Sequence, residues 1–150
     1  ALKTLNEMVA RNTNDLASWL KIAELHSAAS NYPAAKQTYE KALAVNPRYV
    51  PVLNNLAWLA AVRLGDLKLA YELGSKAHDL RPADPFTSDT FGWVLYLRGD
   101  YPRSLALITE SAKALPQEPE VQFHLGMAHY MMGEEAPARV ALQNALQLAR

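Results

Sequence analysis

A chain of 150 residues, half of them hydrophobic and 20% charged, is long enough to bury one sizeable core and too apolar to stay disordered. Its 15 basic residues balance 15 acidic ones and form no basic patch, which argues against a phosphate-backbone partner such as nucleic acid. The lack of cysteine excludes disulfides, thiolate zinc sites and cysteine nucleophiles, and no apolar run reaches membrane-spanning length, so direct membrane insertion by this segment is not expected.

In chain order, the first 15 residues read as a helix with Leu2, Leu5, Met8 and Val9 along one side, and they show neither a signal-peptide core nor a cleavage site. The start lacks Met, as expected for a piece of a longer chain. From residue 16 onward the sequence repeats itself. Gly92 recurs as Gly126, Gly99 as Gly133 and Pro82 as Pro116, each 34 residues on, while small residues keep the same beat at Ala35, Ala70, Ser104 and Ala138.

The repeats divide the chain into units 16–49, 50–84, 85–118 and 119–150. Within each unit, apolar residues at three-and-four spacing predict two amphipathic helices. These are separated by Ser30-Asn31, Gly65-Asp66, Gly99-Asp100 and Gly133-Glu134, a flexible residue before one that can cap. Prolines fall where their fixed φ and missing N–H are tolerated: Pro51, Pro85 and Pro119 open first helices, and Pro33, Pro102 and Pro137 open second ones. The interval Ala57 to Gly65 is one residue longer than its counterparts, which predicts a bulge or a 3₁₀ turn near Val62 to Leu64.

Small residues let helix backbones approach, so Ala23, Ala57, Gly92 and Gly126 mark where the two helices of a unit meet. Helical spacing places Trp19, Ile22, Leu53, Leu56, Phe91 and Leu95 on that same inner face. The opposite face of the first helices reads, by unit, Leu20, Lys21, Glu24 and Ser27; Asn54, Asn55, Trp58 and Ala61; Asp89, Thr90, Trp93 and Tyr96; Phe123, His124, Met127 and Tyr130.

The string "SWLKIAELHSAASNYPAAKQTYEKALAVNP", with Trp19, Ala23, Ala35, Tyr39, Ala42 and Pro47 at repeat spacing, resembles the tetratricopeptide repeat (TPR) family, and three further passes continue the pattern over essentially the whole chain. The resemblance implies an all-α fold, a right-handed solenoid of antiparallel helix pairs, in which residues 1–15 are the second helix of a preceding unit. It also implies that the outward face of the first helices lines a concave groove, and that the module is a non-catalytic scaffold for a protein or peptide. The candidate contacts are then Lys21, Glu24, Asn54, Asn55, Trp58, Asp89, Thr90, Trp93, Tyr96, Phe123, His124, Met127 and Tyr130. Aromatic residues and Met are enriched at binding hot spots and adaptable surfaces, and Asn or Asp can satisfy the backbone of an extended peptide. Asn55 matches the slot where related arrays hold a ligand backbone. At the positions used by arrays that grip chaperone C-terminal carboxylates, Leu20, Glu24, Asn55, Phe86 and Thr90, only Asn55 fits, so that activity is not expected.

The four histidines, His26, His78, His124 and His129, form no pair at the spacing of metal ligands, and no nucleophile or phosphate-loop motif is present, so neither a metal nor another cofactor is expected. The string "SDTFGWVLYLRGDYPRSLALI" with "PEVQFHLGMAHYMMG" is similar to the C-terminal repeats of bacterial TPR lipoproteins from exopolysaccharide and PEP-CTERM protein-sorting systems. That similarity implies an envelope-assembly role and a periplasmic or outer-membrane-anchored parent. The last helix presents Val140, Leu142, Ala145, Leu146 and Leu148, so homo-association through end helices is a further expectation, as is a purely structural array whose groove is filled by its parent chain or by self-association.

Overall fold

The computed structural model describes residues 1–150 as nine helices and no strand: α1 (Leu2–Arg11), α2 (Leu16–Ala28), α3 (Tyr32–Val45), α4 (Val50–Val62), α5 (Leu67–Leu80), α6 (Pro85–Leu97), α7 (Tyr101–Ala114), α8 (Pro119–Met131) and α9 (Glu135–Leu148). Their starts follow from local chemistry. The carboxylates of Asp15, Asp66 and Asp100 and the amide oxygen of Asn31 accept backbone N–H groups of α2, α5, α7 and α3, satisfying donors that have no partner inside the helix.

Helices pair as α2 with α3, α4 with α5, α6 with α7 and α8 with α9, and each pair packs on the next. The pairs close on small residues: Ala23, Ala35, Ala42, Ala57, Ala70 and Ala77 are fully buried. Leu56, Val52 and Leu59 of α4 then fill the space against Tyr39 of α3, which ties one unit to the next. Where α5 carries Gly74 in the slot of Tyr39, the Phe91 ring of α6 takes the space and meets Tyr71 and His78 at 5.4 and 5.8 Å between centroids.

The turn inside each pair needs a left-handed residue, supplied by Gly65, Gly99 and Gly133 and, in the first pair, by Ser30 with φ 61°. A side chain there strains the backbone. Ser30→Gly is therefore expected to raise stability by about 0.5 kcal/mol after the added freedom of the unfolded chain is counted; a urea midpoint at or below that of the parent would refute this.

The extra residue of the second unit sits after α4 rather than in a 3₁₀ turn. The Leu64 N–H donates to the Leu59 carbonyl at 3.1 Å and the Asp66 N–H to that of Ala60 at 2.9 Å, a widened exit that lets Leu64 tuck against the first core cluster. Hydrophobic burial favours this arrangement over continuing the helix.

Candidate functional site

First helices touch one another along the array, α4 with α6 and α6 with α8, whereas successive second helices make no comparable packing. The first helices therefore line the inside of the curve. The bend is sharp enough that Trp58 of α4 reaches His124 of α8 across the intervening helix, with ring centroids 5.6 Å apart.

The inner face is a continuous pile of rings. His124 stacks on Trp93 at 4.1 Å and 20°, and Trp93 stacks on Tyr96 at 4.4 Å and 7°. Tyr101 meets Tyr96 edge-on at 5.4 Å, and Phe123 lies 5.9 Å from both Trp93 and His124. One hydrogen-bonded contact pins the pile: His124 Nδ1 lies 2.8 Å from Asp89 Oδ1, joining α8 to α6, and the His124 side chain is only 2% exposed. With a neutral ring this contact requires the Nδ1–H tautomer, so that the imidazole donates to the carboxylate.

The thirteen residues selected from the sequence separate by depth. Phe123 is 43% exposed and Tyr130 63%, while Trp58, Trp93, Tyr96 and Met127 are half-buried and present part of each side chain. Thr90 and His124 are buried and lie beneath the rings, and the Asp89 carboxylate faces His124. Lys21 and Glu24 pair with each other at 3.6 Å on α2 and take no part in the ring pile. Asn54 and Asn55 are half-buried on α4, and the Asn54 carbonyl oxygen is buried without a hydrogen-bond partner. Trp19 stays out of this face: its indole N–H donates to the Thr13 carbonyl at 2.9 Å and it packs on the first core cluster.

Sequence reasoning did not place Tyr39 or Tyr101 at this site, because both belong to second helices. Tyr39 is buried, and its hydroxyl is pushed up to about 12 by that burial and by the charge of Glu24, with the neighbouring Asn55 amide opposing the shift. Between its ordinary value of 10.0 and about 12, the unfolded chain releases this proton while the folded chain keeps it. The contribution of Tyr39 is thus complete below that window and declines as pH rises through it, by about 1–2 kcal/mol once the roughly 2.7 kcal/mol of a two-unit shift is discounted for solvent screening. The loss of stability across the window should be smaller in Tyr39→Phe than in the parent by that amount, measured by urea unfolding at each pH; equal losses would contradict the assignment.

No group of three or more His, Asp or Glu side chains is arranged to hold a metal ion, and no helix is long and apolar enough to cross a membrane. At the C-terminal end, Phe123, Leu142, Ala145, Leu146 and Ala149 surround an open apolar hollow of about 540 Å³. Leu43 occupies the place of Leu146 in the first unit, and there it packs against Val50 and Leu53 of the following first helix.

The repeat geometry has clear counterparts among known proteins. The chain is 33% identical over 84 residues to a TPR repeat-containing protein of Pseudomonas aeruginosa, an alignment that covers 56% of this chain and only 14% of that protein. Among solved structures, PilW, a widely conserved type IV pilus biogenesis factor, superposes with a TM-score of 0.84 at 18% identity, covering 98% of this chain and 68% of PilW. MamA from Desulfovibrio magneticus gives 0.79 at 17%, covering 99% and 84%. A tetratricopeptide repeat protein from Parabacteroides merdae gives 0.78 at 16%, covering 97% and 57%. The family model for the tetratricopeptide repeat matches residues 20–85 and 90–150, and the chain belongs to that family.

Proposed function

We propose that the chain is a protein-binding scaffold that captures an extended segment of a partner protein on its concave face. The observation that carries this reading is the ring pile itself: Trp58, Trp93 and Tyr96 form a half-covered apolar floor, and Phe123 and Tyr130 stand exposed beside it. Large rigid aromatics lose little entropy on binding and dominate interface energetics.

Peptides selected from a random-sequence phage-displayed library supply the test. Because stacking already covers part of Trp93, its replacement by Ala should weaken a selected peptide about tenfold rather than abolish binding. Tyr130→Ala, at a side chain 63% exposed, should weaken it without changing the helical circular dichroism. Undiminished affinity in both variants would rule the groove out.

A second reading is favoured by the apolar hollow at the C-terminal end, which in the interior of the array is covered by a helix. It assigns that face to self-association or to further helices of the parent. If copies of this chain cover it, Leu146→Glu should abolish concentration-dependent association in sedimentation velocity; a parent chain that is monomeric at every concentration would contradict the self-association form.

An envelope setting, with a periplasmic or outer-membrane-anchored parent, is the narrower part of the proposal. Its support is the similarity of the third and fourth units to bacterial lipoprotein repeats, since likeness to PilW at 18% identity speaks for the fold alone. Fractionation of cells carrying the full-length parent would test it, and recovery in the cytoplasm would end it.

A further inference from the structure

A second recess opens off the same face, where α2, α3 and the end of α4 converge. Ser27, Tyr32, Tyr39, Asn55, Trp58 and Arg63 line most of it, around a volume of about 190 Å³. Small-molecule and cofactor sites run from about 300 Å³ upward, so this space suits one amino-acid side chain.

Its chemistry is that of a donor set. The lining carries one charged group, the Arg63 guanidinium, which pairs with no carboxylate and lies with its Cζ 5.4 Å from the Tyr32 ring centroid. Guanidinium can only donate, so a ligand there must bring an acceptor, and a carboxylate matches its planar fork best. The Ser27 hydroxyl and the Asn55 amide add further donors on the wall. Glu24 lies outside the lining and pairs with Lys21 at 3.6 Å, although its charge still reaches Tyr39. Its effect on Tyr39 is to help hold the phenol protonated, and therefore able to donate.

Trp58 belongs both to this recess and to the ring pile, so the two are contiguous. We propose that the recess receives an Asp or Glu side chain of the segment bound on the aromatic face, with Arg63 as the residue that selects for the acid. This rests on the groove reading above and adds to it a charge preference at one position of the ligand.

The phage-displayed library distinguishes the two. Selections on the parent chain and on Arg63→Glu should both yield peptides that need Trp93. Those from the parent should share Asp or Glu at a fixed distance from an apolar residue, and those from Arg63→Glu should carry Lys or Arg in its place. Changing that acid to its amide in a parent-selected peptide should cost about tenfold in affinity to the parent and almost nothing to Arg63→Gln. Arg63 is exposed, so both variants should keep the parent's circular dichroism spectrum. Peptides that need Trp93 but show no acid at a fixed position, or whose acid preference survives Arg63→Glu, would overturn the Arg63 assignment and leave the groove standing. A library that yields no peptide dependent on Trp93 would overturn the groove reading and this inference with it.

Discussion

Replacing His124 with Ala should destabilise the fold by about 3 kcal/mol and loosen the face that holds the rings. Two costs add. The Asp89 carboxylate, with its side chain 13% exposed, loses the partner 2.8 Å away, and a partly desolvated charge left unpaired is expensive. The imidazole also leaves a void against Trp93, whose packing it supplies at 4.1 Å. The costs separate experimentally. His124→Phe keeps a ring in the stack and strands the carboxylate, so adding Asp89→Asn should recover part of its loss. His124→Asn can still donate to Asp89 but leaves the stack empty, and adding Asp89→Asn to it should recover nothing. Urea midpoints that treat all three His124 variants alike, or a His124→Ala loss below about 1 kcal/mol, would show that the pair is not a structural pin.

Gly92→Ala should cost about 2 kcal/mol, although Ala is the better helix former. A Cβ at position 92 would lie 2.7 Å from Cγ1 of Ile108 and 3.4 Å from its backbone nitrogen, and Ile108 is fully buried with nowhere to go. The gain in helix propensity, about 1 kcal/mol, is smaller than the overpacking it forces. Gly126→Ala makes an equally close approach, 2.6 Å from Cγ of Leu142, with a different outcome. Leu142 borders the open hollow and can swing into it, while the Ala138 carbonyl oxygen, 3.2 Å from the added Cβ, must give by a few tenths of an ångström, so the expected loss is about 1 kcal/mol, smaller than at Gly92. Equal losses at the two sites would mean that space around the clashing side chain does not decide the cost.

Gly92 also shows why the fold was readable from the sequence. A residue that must be small recurs at fixed spacing, and four aligned passes of such constraints specify helix pairs, their turns and their order, because each unit can bury its inner face only against the next. The candidate site was readable in outline, since helical spacing alone puts Trp58, Trp93 and Tyr96 on the face opposite the small residues. Its depth was not. Whether His124 touches a ligand or lies beneath one depends on how sharply successive units rotate, a sum of small angular offsets at each junction that no residue type announces. Trp58 and His124 are 66 positions apart and on helices that are not neighbours. Tyr39 escaped for a related reason: its repeat slot marks it as packing for its own pair, and only the three-dimensional arrangement brings its hydroxyl beside Asn55. The widened turn before Gly65 was locatable from the interval count, but its form followed from the burial of Leu64, a tertiary effect.

The most direct measurement uses the chain's three tryptophans, which give three resolved indole N–H signals in a ¹⁵N-labelled sample. Trp58 and Trp93 belong to the ring pile, while Trp19 is tied to the Thr13 carbonyl away from it and serves as an internal reference. Titration with a library-selected peptide should shift the Trp58 and Trp93 signals along a saturating curve and leave Trp19 in place. A peptide that binds while both of those signals stay fixed, or that moves Trp19 alone, would show that the partner docks elsewhere on the array.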